Sequence, residues 1–174
     1  MPCEPLLRLE PSRALFAALA VALLSACGGP PPRVPNPTRP LDERRALEVI
    51  ADAFREEREH PVPGTDVSLS AQHRLHVDVV AEGKRFGVAY VTASERASLE
   101  PALPARDPKM GDALQLVSGI GADSDARVCV LNDSDYLYDD QVGDAREKST
   151  TTAELKLRRD VRDFLVIAHR EHLR

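Results

Sequence analysis

The residues able to do chemistry are few and scattered. Asp78, Glu82 and Lys84 in VDVVAEGKRF are types that can hold a divalent metal beside a general base. That chemistry needs the glutamate and lysine on one strand face, whereas Glu82-Gly83-Lys84 reads as a hairpin turn with Gly83 at positive φ. A second Glu-x-Lys, Glu154-Leu155-Lys156, opens a helix. In NDSDYLYDDQVGD, Asp133, Asp135, Asp139 and Asp144 have the spacing of the first, third, seventh and last ligands of a calcium loop. The pattern fails at Tyr138, where the turn needs glycine, and at Asp144, where the loop needs glutamate. Solvated turn acids are the expectation.

Histidines add no site. His73 and His76 fall on opposite faces of a strand. His169 and His172 share a helix face but lack a third ligand, and with Arg170 and Arg174 they favour the negative end of the helix dipole. No Gly-x-Ser-x-Gly elbow is present, and Ser118-Gly119-Ile120-Gly121 falls short of a phosphate-binding loop. The expectation is therefore no catalytic residue, no metal and no cofactor: not an enzyme.

One cysteine is placed differently. Ala14 to Ala26 is an uncharged apolar run of 13 residues, and a membrane-spanning helix needs roughly 20. A run this short near the N-terminus, ending in small residues, reads as a signal-peptide core. The segment before it is weakly basic, because Glu4 and Glu10 offset Arg8 and Arg13. Either translation starts further along or the leader is weakly charged. After Cys27 comes GGPPPRVPNPTRP, with six prolines in residues 28–40. Proline lacks a donor and fixes φ, so the tract should be an extended spacer holding a domain roughly 40 Å away.

Leu24-Ser25-Ala26-Cys27 resembles the lipobox of bacterial lipoproteins: an aliphatic residue, two small residues, then cysteine. The resemblance covers only residues 1 to about 40. It implies diacylglycerol on the Cys27 sulfur, cleavage before Cys27, and acylation of the new amine by a fatty acid such as palmitate. Leu24, Ser25 and Ala26 would be read by the signal peptidase. Two or three acyl chains, at about 0.8 kcal/mol per buried methylene, make a stable anchor. Gly28, where aspartate would favour inner-membrane retention in well-studied diderm bacteria, is compatible with the outer membrane.

The leader carries equal numbers of acids and bases, so the formal charge stays at −5 after its removal. That argues against a nucleic-acid partner, which needs a basic stripe. Cys3 leaves with the leader and Cys27 takes lipid, so Cys129 in VCVL cannot form an intramolecular disulfide. It reads as a core residue. With no Trp, the core must be mostly aliphatic.

Residues 41–174 read as a single α+β domain. Asp42 caps a helix stapled by Leu41 and Ala46, with Leu47, Ile50, Ala51 and Phe54 on its buried face. It stops near Glu59, before Pro61 and Pro63. VSLSA, HRLHVDVV, FGVAYVT, ALQLVSG and RVCVLN read as strands, with a short edge strand in DYLYDD. Thr92 and Glu95 have capping-box spacing for a short helix between strands. Thr151 and Glu154 have the same spacing before a final helix, whose stripe is Leu157, Val161, Phe164, Leu165 and Ala168. Glu154–Arg158 and Arg159–Asp163 form i,i+4 pairs along it. The expected fold is an antiparallel sheet of about five strands, flanked by an N-terminal and a C-terminal helix on one face.

Tyr136 and Tyr138 are expected to project together from one strand face beside acids, either covering the polar edge of the sheet or forming a partner surface. The functional expectation is a lipid-anchored cell-envelope protein, associated with membrane lipid through Cys27, whose domain binds an envelope protein or gives structural support. An accessory or immunity-like partner of another exported protein is the alternative, and an enzyme with an unrecognised site comes third. RFGVAYVT and DYLYDD resemble an uncharacterised bacterial lipoprotein family, which carries no activity with it.

Overall fold

The computed structural model describes residues 37–105, 114–140 and 144–171. The chain is α+β, and a five-stranded sheet lies at its centre. In chain order the elements are β1 (Thr38–Pro40), α1 (Glu43–Glu56), β2 (Pro61–Pro63), β3 (Asp66–Ser68), β4 (Arg74–His76) and β5 (Val79–Ala81). They continue with β6 (Phe86–Val91), α2 (Ala93–Leu99), β7 (Gln115–Ser118), β8 (Arg127–Asn132), β9 (Leu137–Asp139) and α3 (Asp144–Arg170). The sheet order is β2-β5-β6-β8-β7, while β1 pairs with β9 and β3 with β4 in separate two-stranded sheets.

The sheet is mixed rather than antiparallel. β6 and β8 run parallel in full register from Phe86↔Arg127 to Val91↔Asn132. β7 passes outside β8 and pairs with it antiparallel, so the chain leaves β6, makes α2, and returns between two strands already present. β6 is buried along its whole length and β8 from Val128 to Asn132. That requires cover on both faces, as parallel strands generally do.

Two cores meet at the sheet. Phe86, Val88, Tyr90, Cys129 and Leu131 point towards α1 and α3, where Ile50, Phe54, Leu157, Val161, Phe164 and Leu165 are fully buried. Ala89, Val91, Val128 and Val130 point the other way. There they are roofed by Val67 and Leu75 of the β3–β4 hairpin and by Leu99 and Leu103 around the end of α2. The expectation of helices on one face is therefore incomplete, because α2 and the hairpin cover the other.

Local rules account for most element ends. Asp42 caps α1 by accepting from the Arg45 N–H, and Leu41 and Ala46 are buried beside it as a staple. The end of α1 is a Schellman motif: the Glu59 N–H donates to the Phe54 carbonyl and the Arg58 N–H to that of Arg55. Arg58 holds φ 65° at the position glycine favours. The Thr92–Glu95 capping box is complete.

Two expectations need correction. α3 begins at Asp144, so Thr151 is inside the helix and its hydroxyl donates back to the Glu147 carbonyl. Thr38–Pro40, read as the end of the spacer, is a strand paired with β9 from Thr38↔Asp139 to Pro40↔Leu137. Proline is compatible with such a short edge strand.

Candidate functional site

Asp78 interrupts the strand read from HRLHVDVV. The Asp78 N–H donates to the Val88 carbonyl while Val79 is already the register partner of Val88, so two residues oppose one. The bulge exchanges faces: Val77 is buried in the hairpin-side core and Val79 in the helix-side core. Asp78 Oδ2 then accepts the Tyr90 N–H at 2.7 Å, so a side chain continues the ladder where the backbone has bent away. Gly87 sits opposite, where a Cβ would lie 2.6 Å from the Val79 carbonyl oxygen and 2.6 Å from Val80 Cγ1. The bulge needs a residue with no side chain there.

Beside this bulge lies a cleft of about 240 Å³, with Leu75, Val91 and Leu99 on its apolar side and Glu43, His76 and Glu95 among its polar groups. Burial pushes the Asp78 carboxyl above its ordinary value, and the Tyr90 hydrogen bond works against that rise. The hydrogen bond with Asp66 raises the His76 imidazole, its Nδ1 lying 2.8 Å from Asp66 Oδ1. A raised carboxyl near an imidazole is the raw material of acid–base catalysis. Here three of the groups are committed elsewhere: Asp78 to the Tyr90 N–H, His76 to Asp66, and Glu95 to the Thr92 N–H and hydroxyl. The geometry joins α1, the hairpin, the sheet and α2.

The chemistry-bearing motifs do not converge. Glu82 and Lys84 are exposed in the β5–β6 turn, with Gly83 at φ 70°, and Glu82 lies 3.3 Å from His60 Nδ1. Asp133 Oδ2 accepts the Ala93 N–H at the start of α2. The Asp139 N–H donates to Ser149, and Asp140 pairs with Arg39. His73 Nδ1 is hydrogen-bonded to Ser70, and His169 Nε2 lies 2.8 Å from Glu59. His172 is outside the described residues, as are Leu24, Ser25, Ala26 and Cys27. Among the described residues, no group of three or more His, Cys, Asp and Glu side chains is placed to hold a metal ion. Cys129 is fully buried, and burial pushes its thiol well above its ordinary value.

The tyrosine surface does not form. Tyr136 is 2% exposed, and its hydroxyl donates to Asp160 Oδ2. Its ring lies 6.1 Å from that of Tyr90, with Lys156 Nζ 5.2 Å from its centroid. Tyr136 follows a 3₁₀ turn (Asp133–Asp135) and turns inward, whereas Tyr138 is half-buried in β9 with the Arg146 guanidinium 5.7 Å from its ring centroid. Alternation within one strand fails because only Tyr138 is in the strand.

Four charged residues of α3 reach α1 and the turn that ends it, while Arg159 holds Asp160 within α3 itself. Arg45 binds Glu154 through Nε at 2.7 Å and Nη2 at 2.9 Å, Arg158 binds Glu56, and Arg162 Nε lies 2.7 Å from Glu57. With His169–Glu59, the partners ascend together, so the two helices run in the same sense. Periodicity shows which residues of each helix are solvated but not that two helices share that solvated margin. No family model, curated protein or solved structure matches the chain.

Proposed function

We propose that this protein is a lipid-anchored component of a bacterial cell envelope, with a non-catalytic domain that binds an envelope partner or gives structural support. The observation that carries the reading is Leu24-Ser25-Ala26-Cys27 at the end of an apolar run and directly before the proline tract. Order along the chain supports it: the last residues of the tract, Thr38–Pro40, are already a strand, so few residues separate the acylation site from folded structure. Gly28 directs the assignment towards the outer membrane. The domain reading rests on polar groups used for its own architecture, Asp78 and Glu95 among them.

The test is metabolic labelling of the full chain in a bacterial host with a clickable palmitate analogue, followed by membrane fractionation. Label in the membrane fraction, lost together with membrane retention in Cys27→Ser, supports the reading. An unlabelled chain, or a Cys27→Ser chain that keeps its label, overturns it.

A further inference from the structure

The cleft beside the Asp78 bulge has an apolar wall and an acidic mouth. Leu75 of β4, Val91 of β6 and Leu99 of α2 form the wall. Asp78 is half-buried, and Glu43 and Glu95 are exposed in the first turns of α1 and α2. The architecture uses one oxygen from each of two carboxylates: Asp78 accepts the Tyr90 N–H through Oδ2, and Glu95 accepts from Thr92 through Oε2. Asp78 Oδ1 and Glu95 Oε1 are left for a ligand. Arg74 also lines the cleft and His76 answers Asp66, so the acids stay in excess. At about 240 Å³ the cleft is smaller than the roughly 300–1,000 Å³ of sites that enclose drug-sized ligands, which suits one entering side chain. We propose that the cleft receives an arginine side chain of a protein partner, its methylenes against Leu75, Val91 and Leu99 and its guanidinium against Asp78, Glu95 and Glu43.

Charge complementarity selects the occupant. Long basic side chains lay an apolar stem along apolar surface while the charged head meets polar groups. Arginine suits the cleft better than lysine, because its planar fork of donors can serve carboxylates that come from α1, α2 and the sheet together. A free small cation would leave the apolar wall without a partner. Burial pushes the Asp78 carboxyl up, and a cation beside it favours the ionised form. Arginine binding and Asp78 ionisation therefore assist each other. The inference rests on the reading of the domain as the binder of an envelope partner, and names the group that partner presents. It does not depend on lipid attachment.

The test is an NMR titration of the full-length, isotope-labelled protein in detergent micelles. The probes are N-acetyl-arginine-N-methylamide, its neutral isostere N-acetyl-citrulline-N-methylamide, and agmatine as a free amine. The Tyr90 and Val91 amides report on the cleft. The arginine probe should shift both saturably, and the citrulline probe should bind about tenfold more weakly or worse, because it loses the charge-assisted bonds. Asp78→Asn with Glu43→Gln should weaken the arginine probe by a similar factor, and the asparagine still accepts the Tyr90 N–H, so the cleft keeps its shape. No saturable shift, equal binding of citrulline, or a double variant that binds as the parent does overturns the proposal. Agmatine binding more tightly than the arginine probe also overturns it, by assigning the cleft to a free amine. A chain that takes palmitate but not arginine loses only this site, and one that takes arginine but not palmitate loses only the anchor.

Discussion

The Tyr136 hydroxyl donates to Asp160 Oδ2 at 3.0 Å within the helix-side core, and Arg159 donates to the other oxygen of the same carboxylate. A loop after β8 and the middle of α3 are joined by this one buried acid, which is 6% exposed. Tyr136→Phe leaves the ring in place and removes one donor from a buried carboxylate, so urea unfolding should show a loss of about 1–3 kcal/mol. An unchanged midpoint would mean that the carboxylate does not depend on the phenol.

Asp78 separates two roles of one side chain. Asp78→Asn keeps an oxygen for the Tyr90 N–H and removes the ionisation that burial disfavours. Asp78→Ala orphans that N–H. At neutral pH the asparagine variant should be as stable as the parent or more so, and the alanine variant less stable by about 1–3 kcal/mol. For a carboxyl raised in the fold, stability is present below its unfolded pKa, about 3.9, and declines as pH rises through the folded value. Asp78→Asn should remove that decline from a pH series of melting temperatures.

The His76–Asp66 pair ties β3 to β4. Its imidazole is raised in the fold, chiefly by the hydrogen bond to Asp66, with Asp78 and Glu95 adding negative charge nearby. The contribution is therefore complete below the unfolded histidine value, about 6.5, and fades as pH rises through the folded value. Both side chains are more than half exposed, so solvent screening keeps the effect small. His76→Gln should flatten the pH dependence of stability in that window without unfolding the domain.

Arg58 occupies the left-handed position of the motif that ends α1. Arg58→Gly should raise stability by about 1 kcal/mol, because glycine enters that region without a Cβ penalty. Chemical denaturation is the measurement, and a loss of stability would show that the Arg58 side chain contributes more than its backbone costs.

The N-cap at Asp42, the box at Thr92–Glu95, the turn at Gly83 and the apolar stripe from Leu157 to Ala168 were legible because each rests on neighbours within about one helical turn or one hairpin. What escaped depends on distant segments. FGVAYV and VCVL are near-continuous apolar runs, which marks strands buried on both faces but does not say which strand each pairs with, so the parallel pairing of β6 with β8 was missed. The inward turn of Tyr136 needs Asp160 as its acceptor, 24 residues away. Asp78 looked like the polar half of an alternation, and only the partner strand shows that it stands at a bulge. The cleft beside it draws on α1, β4, β6 and α2, and no spacing brings those together.

The insertion of β8 between β6 and the later-flanking β7, with α3 closing the helical face last, has a consequence for biogenesis. Until the ribosome has passed Asn132 one of the two central strands is missing, and until Ala168 has been made the rings of Phe54 and Phe86 lack their final cover. An emerging polypeptide therefore has no stable folded fragment to pause on, and consolidation waits for the C-terminus.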